Sequence, residues 1–371
     1  MSVRGRIHCA GQCMHNLACK TATFDQINSL CSLFADFENV GQLIQDNGTV
    51  TFVRKVNPFS IGWNSTGITV AGVTGVAGVA ANQFNHPFCV VLDSSNTLYV
   101  SDQVNQRVQK WLSNASSATT VAGQSNAMAG SAMDYLNYPS DLIIDSNDNL
   151  YIVDAGNDRV VLWNNGSSSG MLMAGTGIPV NTASQLSGPI SIERDSSSGT
   201  LYISDTNNHR VVEYLVNASF GTVVAGGNGG GTGITQLYNP RGLYFDLSTN
   251  SLLIANNYAH NIVRWVLGAS SWTLIIGSAS GTAGITSTML NYPTHIVLDS
   301  LGNMYVSDEG NHRIQFFLAG QSNGTTIAGM TGIPGNTSQL LHTPSSVAVD
   351  SQFNIYVTDY NNHRVQKFLH Y

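Results

Sequence analysis

The sequence predicts an all-β fold, a six-bladed β-propeller of four-stranded antiparallel blades, on three observations. A hairpin-like unit recurs six times at a period of about 51 residues. A Pro-led apolar run precedes each copy, and a short run ending in Ala-Gly or Ile-Gly follows. The last copy lacks that final strand, while an orphan strand of the same type, Ile68–Gly72, stands ahead of the first copy.

The hairpin is clearest at its last occurrence, Asn354–Phe368. A β-rich run, Ile355 to Thr358, reaches Asp359. A polar Tyr-Asn-Asn-His turn follows, and an alternating run begins at Arg364. Two period-two runs around a polar turn read as paired strands. The position of Asp359 is held in turn by Asp102, Asp154, Asp205, Asn256 and Asp308. The four strands of a repeat are named A to D in chain order. Strand A opens at Pro87, Pro139, Pro189, Pro240, Pro293 and Pro344, and its run closes on Asp93, Asp145, Asp195, Asp246, Asp299 and Asp350. Six four-stranded sheets around an axis make a six-bladed ring. The orphan strand completes the last blade, so 68–72 is expected to pair with 364–369 and fasten the ring.

The D–A connectors are rich in Gly, Thr, Ser and Asn. Each carries one large apolar residue three positions before its Pro: Phe84, Leu136, Leu186, Leu237, Leu290 and Leu341. These side chains are expected to pin the connectors to the blades. Connectors and B–C turns emerge on one face, the top, and C–D turns on the other.

Charged residues are 10% of the chain, well under the usual figure of about 25%. The net charge is −7, but eleven of the 22 acids are the repeated Asp residues that close strands A and B, so the acidity belongs to the architecture. No Lys/Arg cluster exists to neutralise phosphates, which argues against nucleic acid. No apolar run approaches 18 residues, so no membrane span is expected. A ring of about 300 residues buries roughly 75% of its unfolded surface and needs no metal or disulfide for stability.

Asp-x-x-Asn-x-Arg, whole at Asp205–Arg210, Asp308–Arg313 and Asp359–Arg364, together with the Pro-led strand A ending in Asp, resembles the NHL-repeat propellers over residues 64 to 371. The resemblance implies the fold. It does not imply one activity, because this architecture hosts binding modules and unrelated enzymes.

Residues 1–56 read as a separate small module, followed by a linker over 57–67 beginning at Asn57-Pro58. Four of the five cysteines, Cys9, Cys13, Cys19 and Cys31, lie within it. Such clustering suits a disulfide framework, with zinc ligation including His8 and His15 as the competitor; the lack of a Cys-x-x-Cys knuckle speaks against zinc. Strands are expected at Cys19–Asp25, Leu30–Phe34 and Thr49–Val53. The cysteine spacing and the Thr49–Arg54 ending resemble a truncated PAN/apple module, which binds proteins or carbohydrates. That resemblance implies the pairings Cys9–Cys31 and Cys13–Cys19. It also implies a longer natural chain with a preceding signal sequence, since Met1–Cys9 has no apolar core of its own.

The repeated Asp and the Arg five residues on are expected to be structural ion pairs: Asp102–Arg107, Asp154–Arg159, Asp205–Arg210, Asp308–Arg313 and Asp359–Arg364. A catalytic constellation is needed once, whereas these recur. In blade four both members change together, to Asn256 and Asn261. Joint loss fits a pair, because removing one partner alone strands a buried charge. Sequons stand at Asn47, Asn64, Asn114, Asn165, Asn217, Asn323 and Asn336. Asn114, Asn165, Asn217 and Asn323 fall in C–D turns, and Asn64 holds the matching place before the orphan strand. Glycans there would line the bottom and leave the top bare.

The second residue after each strand-A Pro reads Cys89, Asp141, Ser191, Gly242, His295 and Ser346. These positions are expected to converge on the axis. Amidating-lyase propellers place several His there, and only His295 matches. Cys89 is expected to be a buried small hydrophobe, and Glu193-Arg194 an internal ion pair within strand A. No nucleophile elbow, phosphate loop or His-Glu-x-x-His occurs.

The functional expectation is a non-enzymatic, extracellular binding protein without a cofactor, recognising protein or carbohydrate through its top face. Asn105, Asn157, Asn208, Tyr258, Asn311, Tyr360 and Asn362 of the B–C turns are the expected contacts. The alternatives are a metal-dependent lyase or hydrolase around His295, Asp141 and Glu193, and an intracellular NHL adaptor for ubiquitination or RNA binding.

Overall fold

A computed structural model of the chain describes residues 42–46, 49–53 and 62–371. The first two segments form an antiparallel hairpin, Gln42–Asp46 against Thr49–Val53. Thr49–Val53 is therefore a strand as expected, with a partner the sequence did not suggest. The cysteines Cys9, Cys13, Cys19 and Cys31, the PAN/apple likeness they carry and the sequon Asn47 lie outside the described residues.

From Trp63 onward the chain forms six four-stranded antiparallel sheets, each in the order A-B-C-D. Strand A of the first blade is Pro87–Leu92, B is Leu98–Asp102, C is Arg107–Trp111 and D is Thr119–Gly123. The sixth blade takes A, B and C from Pro344–Val349, Ile355–Asp359 and Arg364–Phe368. Its D strand is Ile68–Gly72, with Arg364 opposite Gly72, Val365 opposite Ala71 and Lys367 opposite Ile68. The two ends of the ring thus complete one sheet, and the closure expected from the strand count is present. Ala71 and Val365 also pack with Phe84, Val90, Val100 and Trp111 of the first blade, so apolar burial welds the split blade to its neighbour.

Two details differ from the sequence reading. Five of the six A strands stop before the closing Asp, and only Pro240–Asp246 includes it. The Asp instead closes the A–B turn: Asp93 Oδ1 accepts the backbone N–H of Ser95 at 2.8 Å and of Thr97 at 2.9 Å. This is an Asx-type turn, which a short carboxylate makes readily. In addition, every A strand carries an irregularity directly after its Pro, which re-aims the residues nearest the axis.

Each connector anchor is fully buried: Phe84, Leu136, Leu186, Leu237, Leu290 and Leu341. The Gly ending each D strand explains the recurrent Ala-Gly. Gly72 has φ +84°, and a Cβ there would lie 2.5 Å from the His363 carbonyl oxygen and 2.8 Å from the Phe84 ring. A side chain is excluded by both conformation and space.

Candidate functional site

The top face is built on a repeated polar node. In blade five, Asp308 Oδ1 accepts the Asn291 backbone N–H at 2.7 Å, while Oδ2 accepts from Asn311 Nδ2 at 2.8 Å and Arg313 Nε at 2.8 Å. Arg313 then donates to the Ile285, Thr286 and Met289 carbonyls of the connector. The same Asp–Arg contact joins Asp102–Arg107, Asp154–Arg159, Asp205–Arg210 and Asp359–Arg364 at 2.6–2.8 Å, with every Asp side chain fully buried. Burial pushes these carboxyls above their ordinary range, Asp102 to about 6, against the opposing pull of their donors. In blade four Asn256 Oδ1 still accepts the connector N–H, from Tyr238, and Asn261 donates to the Ser278 carbonyl. One connector bond survives there without any charge.

This node corrects the expected contact set. The amides of Asn105, Asn157, Asn208, Asn311 and Asn362 each donate to the Asp of their own blade and to a connector carbonyl. Asn105, Asn311 and Asn362 are buried, and Asn157 and Asn208 partly so. Their amide N–H donors are used inside the protein, so these side chains brace the connectors under the face.

A second ring of bonds joins successive blades. The residue closing each B–C turn adopts the left-handed conformation: Gln106, Asp158, His209, His260, His312 and His363. Its side chain accepts the N–H of the pre-Pro residue of the next blade. His209 Nδ1 takes Asn239 N at 3.1 Å, His260 takes Tyr292 at 3.0 Å, His312 takes Thr343 at 3.2 Å and His363 takes His86 at 3.2 Å. Gln106 and Asp158 do the same for Tyr138 and Gly188. Accepting at Nδ1 requires a neutral imidazole with its proton on Nε2, and burial lowers the pKa of all four histidines in that direction.

Two aromatic groups stand among the other top-face side chains. Tyr238, Tyr258 and Tyr292 run edge to face across blades four and five, with centroid separations of 5.3 and 5.7 Å. His209 and His260 extend the arc at its ends. All three tyrosines are exposed, at 38, 42 and 43%. Tyr360, by contrast, is half-buried beside the axis, with its hydroxyl on Gln103 Oε1 at 3.0 Å and its ring against His86 and Phe88. Across the same mouth Arg241 pairs with Glu309 at 3.1 Å. Tyr238 and Tyr292 carry a signal in the sequence, since they stand two and one residues before the Pro of blades four and five.

Below the mouth, the residues after Pro do converge. A hydrogen-bonded chain crosses five blades: Ser346 Oγ to Cys89 Sγ at 3.8 Å, Cys89 Sγ to Asp141 Oδ1 at 2.9 Å, Ser191 Oγ to Asp141 Oδ2 at 2.6 Å, and Leu243 N to Ser191 Oγ at 3.2 Å. Cys89 is thus buried as expected, but as a hydrogen-bond donor. Burial, then the Asp141 charge, pushes its thiol up. His295 completes the circle, its buried Nδ1 without a hydrogen-bond partner among the described residues. Gly242 lets it approach: a Cβ there would lie 2.7 Å from the His295 Cα.

The ligand atoms of Cys89, Asp141 and His295 lie within 4.8 Å of one another and form a candidate metal group. Their chemistry is poorly set for it. Asp141 already accepts four hydrogen bonds, the other two from Leu142 N and Ile192 N, and coordination requires the Cys89 thiolate.

Glu193 and Arg194 do not pair among the described ion pairs. Adjacent strand residues face opposite ways, and Arg194 lies 5.5 Å from the Tyr151 ring centroid. Glu193 is left with its carboxyl pushed up to about 8, by burial and then by the Asp141 charge. The sequons Asn64, Asn114, Asn165, Asn217, Asn323 and Asn336 are all exposed.

The NHL repeat model matches residues 290–317 and 341–368, each running from a connector anchor to the end of strand C. No curated protein matches the sequence. Among solved structures, a protein of unknown function from Bacteroides thetaiotaomicron VPI-5482 is similar at 14% identity and TM-score 0.64, over 91% of this chain and 90% of that one. An auxiliary nutrient binding protein from Bacteroides ovatus is similar at 13% and 0.61, over 89% of each. A gluconolactonase from Xanthomonas campestris is similar at 12% and 0.59, over 90% and 95%. At these identities the likeness is one of fold. The neighbours include both binding proteins and enzymes, so shape alone does not assign chemistry. No helix among the described residues is long and apolar enough to cross a membrane.

Proposed function

We propose that this propeller is an extracellular binding protein that recognises a carbohydrate or peptide through its top face. The observation that carries this reading is the exposed arc Tyr238–Tyr258–Tyr292. Exposed tyrosines offer flat apolar faces with a polar tip, and their rigidity keeps the ordering cost of binding low. The arc stands over blade four, where the buried Asn256 and Asn261 replace the Asp–Arg pair of the other blades. The exposed sequons in C–D turns are consistent with that compartment, and glycans on them would lie on the opposite face.

The test is an array of immobilised oligosaccharides and peptides probed with the full chain and with a Tyr238→Ala/Tyr258→Ala/Tyr292→Ala variant of matched thermal stability. Specific retention by the parent and loss by the variant is expected. Equal retention by both would place the site elsewhere.

A second reading is an enzyme centred on the axis, favoured by the raised Glu193 carboxyl and the unpartnered His295 Nδ1 beside Asp141. Elemental analysis of purified protein separates the two: a stoichiometric divalent metal abolished by His295→Ala would favour the enzyme.

A further inference from the structure

The bottom face repeats a groove between successive blades, and one copy is filled by the chain itself. Trp63 is buried there between blades five and six, against Tyr305 at 5.8 Å, Phe316 at 5.0 Å and His370 at 5.1 Å. Its indole N–H donates to the Phe353 carbonyl at 2.8 Å.

The corresponding groove between blades one and two is open, a cavity of about 280 Å³ lined by Tyr99, Lys110, Asp148 and Trp163 among others. That is close to the lower end of ordinary ligand pockets, roughly 300 Å³. The correspondence rests on matching bonds. His370 N to Asn354 Oδ1 and Asn165 N to Asn149 Oδ1 are both 3.0 Å. Gly67 N to Ser338 O and Gly170 N to Met133 O are both 2.7 Å. Tyr99 therefore stands for Tyr305, Lys110 for Phe316 and Asp148 for Phe353. Counting back from the paired D strands, Gly166 takes the place of Trp63, and a Cβ on it would meet nothing within 4 Å. The Lys110 ammonium lies 5.2 Å from the Tyr99 ring centroid, in the place Phe316 takes beside Tyr305, while in other blades Arg194 lies over Tyr151, Phe245 stacks on Tyr202 and Lys367 lies over Tyr356.

We propose that the groove between blades one and two is a second binding site, which takes a tryptophan side chain from an extended segment of a partner protein. Trp63 is the internal template. The incoming indole lies against Tyr99 and points its N–H at the Asp148 carbonyl. The Lys110 ammonium replaces Phe316 and faces the ring, a favourable cation–π geometry for an indole. Asn164 O already accepts the Ser167 N–H within the C–D turn, so the anchor is the side chain and not an added strand. This site does not use the top face, and because Asn165 lines the groove it is open only in chains without a glycan at that sequon.

The test is calorimetric titration of the unglycosylated full chain with a short Trp-containing peptide, its Trp→Ala counterpart and free indole. Saturable binding of the Trp peptide is expected, with at least tenfold loss in the Ala peptide and weaker binding of indole. Lys110→Ala and Thr119→Arg, the latter on the exposed rim, should each weaken the Trp peptide at least fivefold while leaving thermal stability unchanged. Tyr258→Ala should leave it unaffected. Absence of saturable binding by the parent, unchanged affinity in both groove variants, or indole binding as tightly as the peptide would overturn the proposal.

Discussion

Replacing Arg313 with Met removes one partner of a buried pair and keeps much of the side-chain volume. The Asp308 carboxylate, fully buried, loses its 2.8 Å guanidinium contact. The connector carbonyls of Ile285, Thr286 and Met289 lose their donors as well. Breaking such a pair from one side costs about 3–5 kcal/mol. With an unfolding entropy of about 2.1 cal/mol/K per residue, a ring of this size loses roughly 5–8 °C of Tm. Asp308 already has its pKa raised by burial, and loss of the cation raises it further. The deficit is therefore smallest at low pH, where the carboxyl is protonated, and grows as pH rises through the folded-state pKa. Adding Asp308→Asn and making position 313 Asn reproduces blade four, and should recover most of the loss because the stranded charge is gone. The assay is thermal unfolding by calorimetry at pH 5 and pH 8 on the parent, Arg313→Met, and the cycle of Asp308→Asn, Arg313→Asn and their double variant. An unchanged Tm for Arg313→Met, or a double variant as unstable as the two singles added together, would refute the reasoning.

The histidine links give a separate pH signature. Because burial lowers the pKa values of His209, His260, His312 and His363, their contribution is whole above about pH 6.5 and is lost as pH falls through the folded-state values. Replacing all four with Gln, the residue nature places at Gln106, should flatten the fall in Tm between pH 6.5 and 5, and an unaltered profile would contradict the bonding. Gly72→Ala should cost more than about 2 kcal/mol, since it meets both a left-handed φ and the His363 carbonyl; urea unfolding measures it. The Cys89 thiol, buried and held protonated, should react with an aromatic disulfide reagent at pH 8 only as fast as the ring opens, and immediate labelling mapped to Cys89 by peptide mass would show that the axis is accessible.

The ring was legible because the repeats carry the same local punctuation: Pro at the start of strand A, Asp (Asn256 in blade four) at the end of strand B, Gly at the end of strand D. Closure followed from a single unmatched strand. The ion pairs were legible because Asn256 and Asn261 changed together. The face was harder. An Asn in a turn reads the same whether its amide meets a ligand or a buried Asp, and Asn105, Asn311 and Asn362 do the latter. Tyr238 and Tyr292 converge with Tyr258 only once the connectors of two blades are laid beside one turn. The repeat brought Cys89 and Asp141 to neighbouring places at the axis, but that the thiol donates to the carboxylate depends on side-chain orientation, which the spacing does not encode. Glu193-Arg194 was misread because neighbours in sequence looked like partners, whereas a strand sends them to opposite faces.

The most direct test of top-face recognition is the dissociation constant of an array-selected ligand for the parent and for Tyr258→Ala, the variant at the middle of the arc. A central aromatic contact predicts a ten- to hundredfold loss, about 1.4–2.7 kcal/mol, with unchanged melting. An unaltered dissociation constant would contradict the account and move recognition off blades four and five.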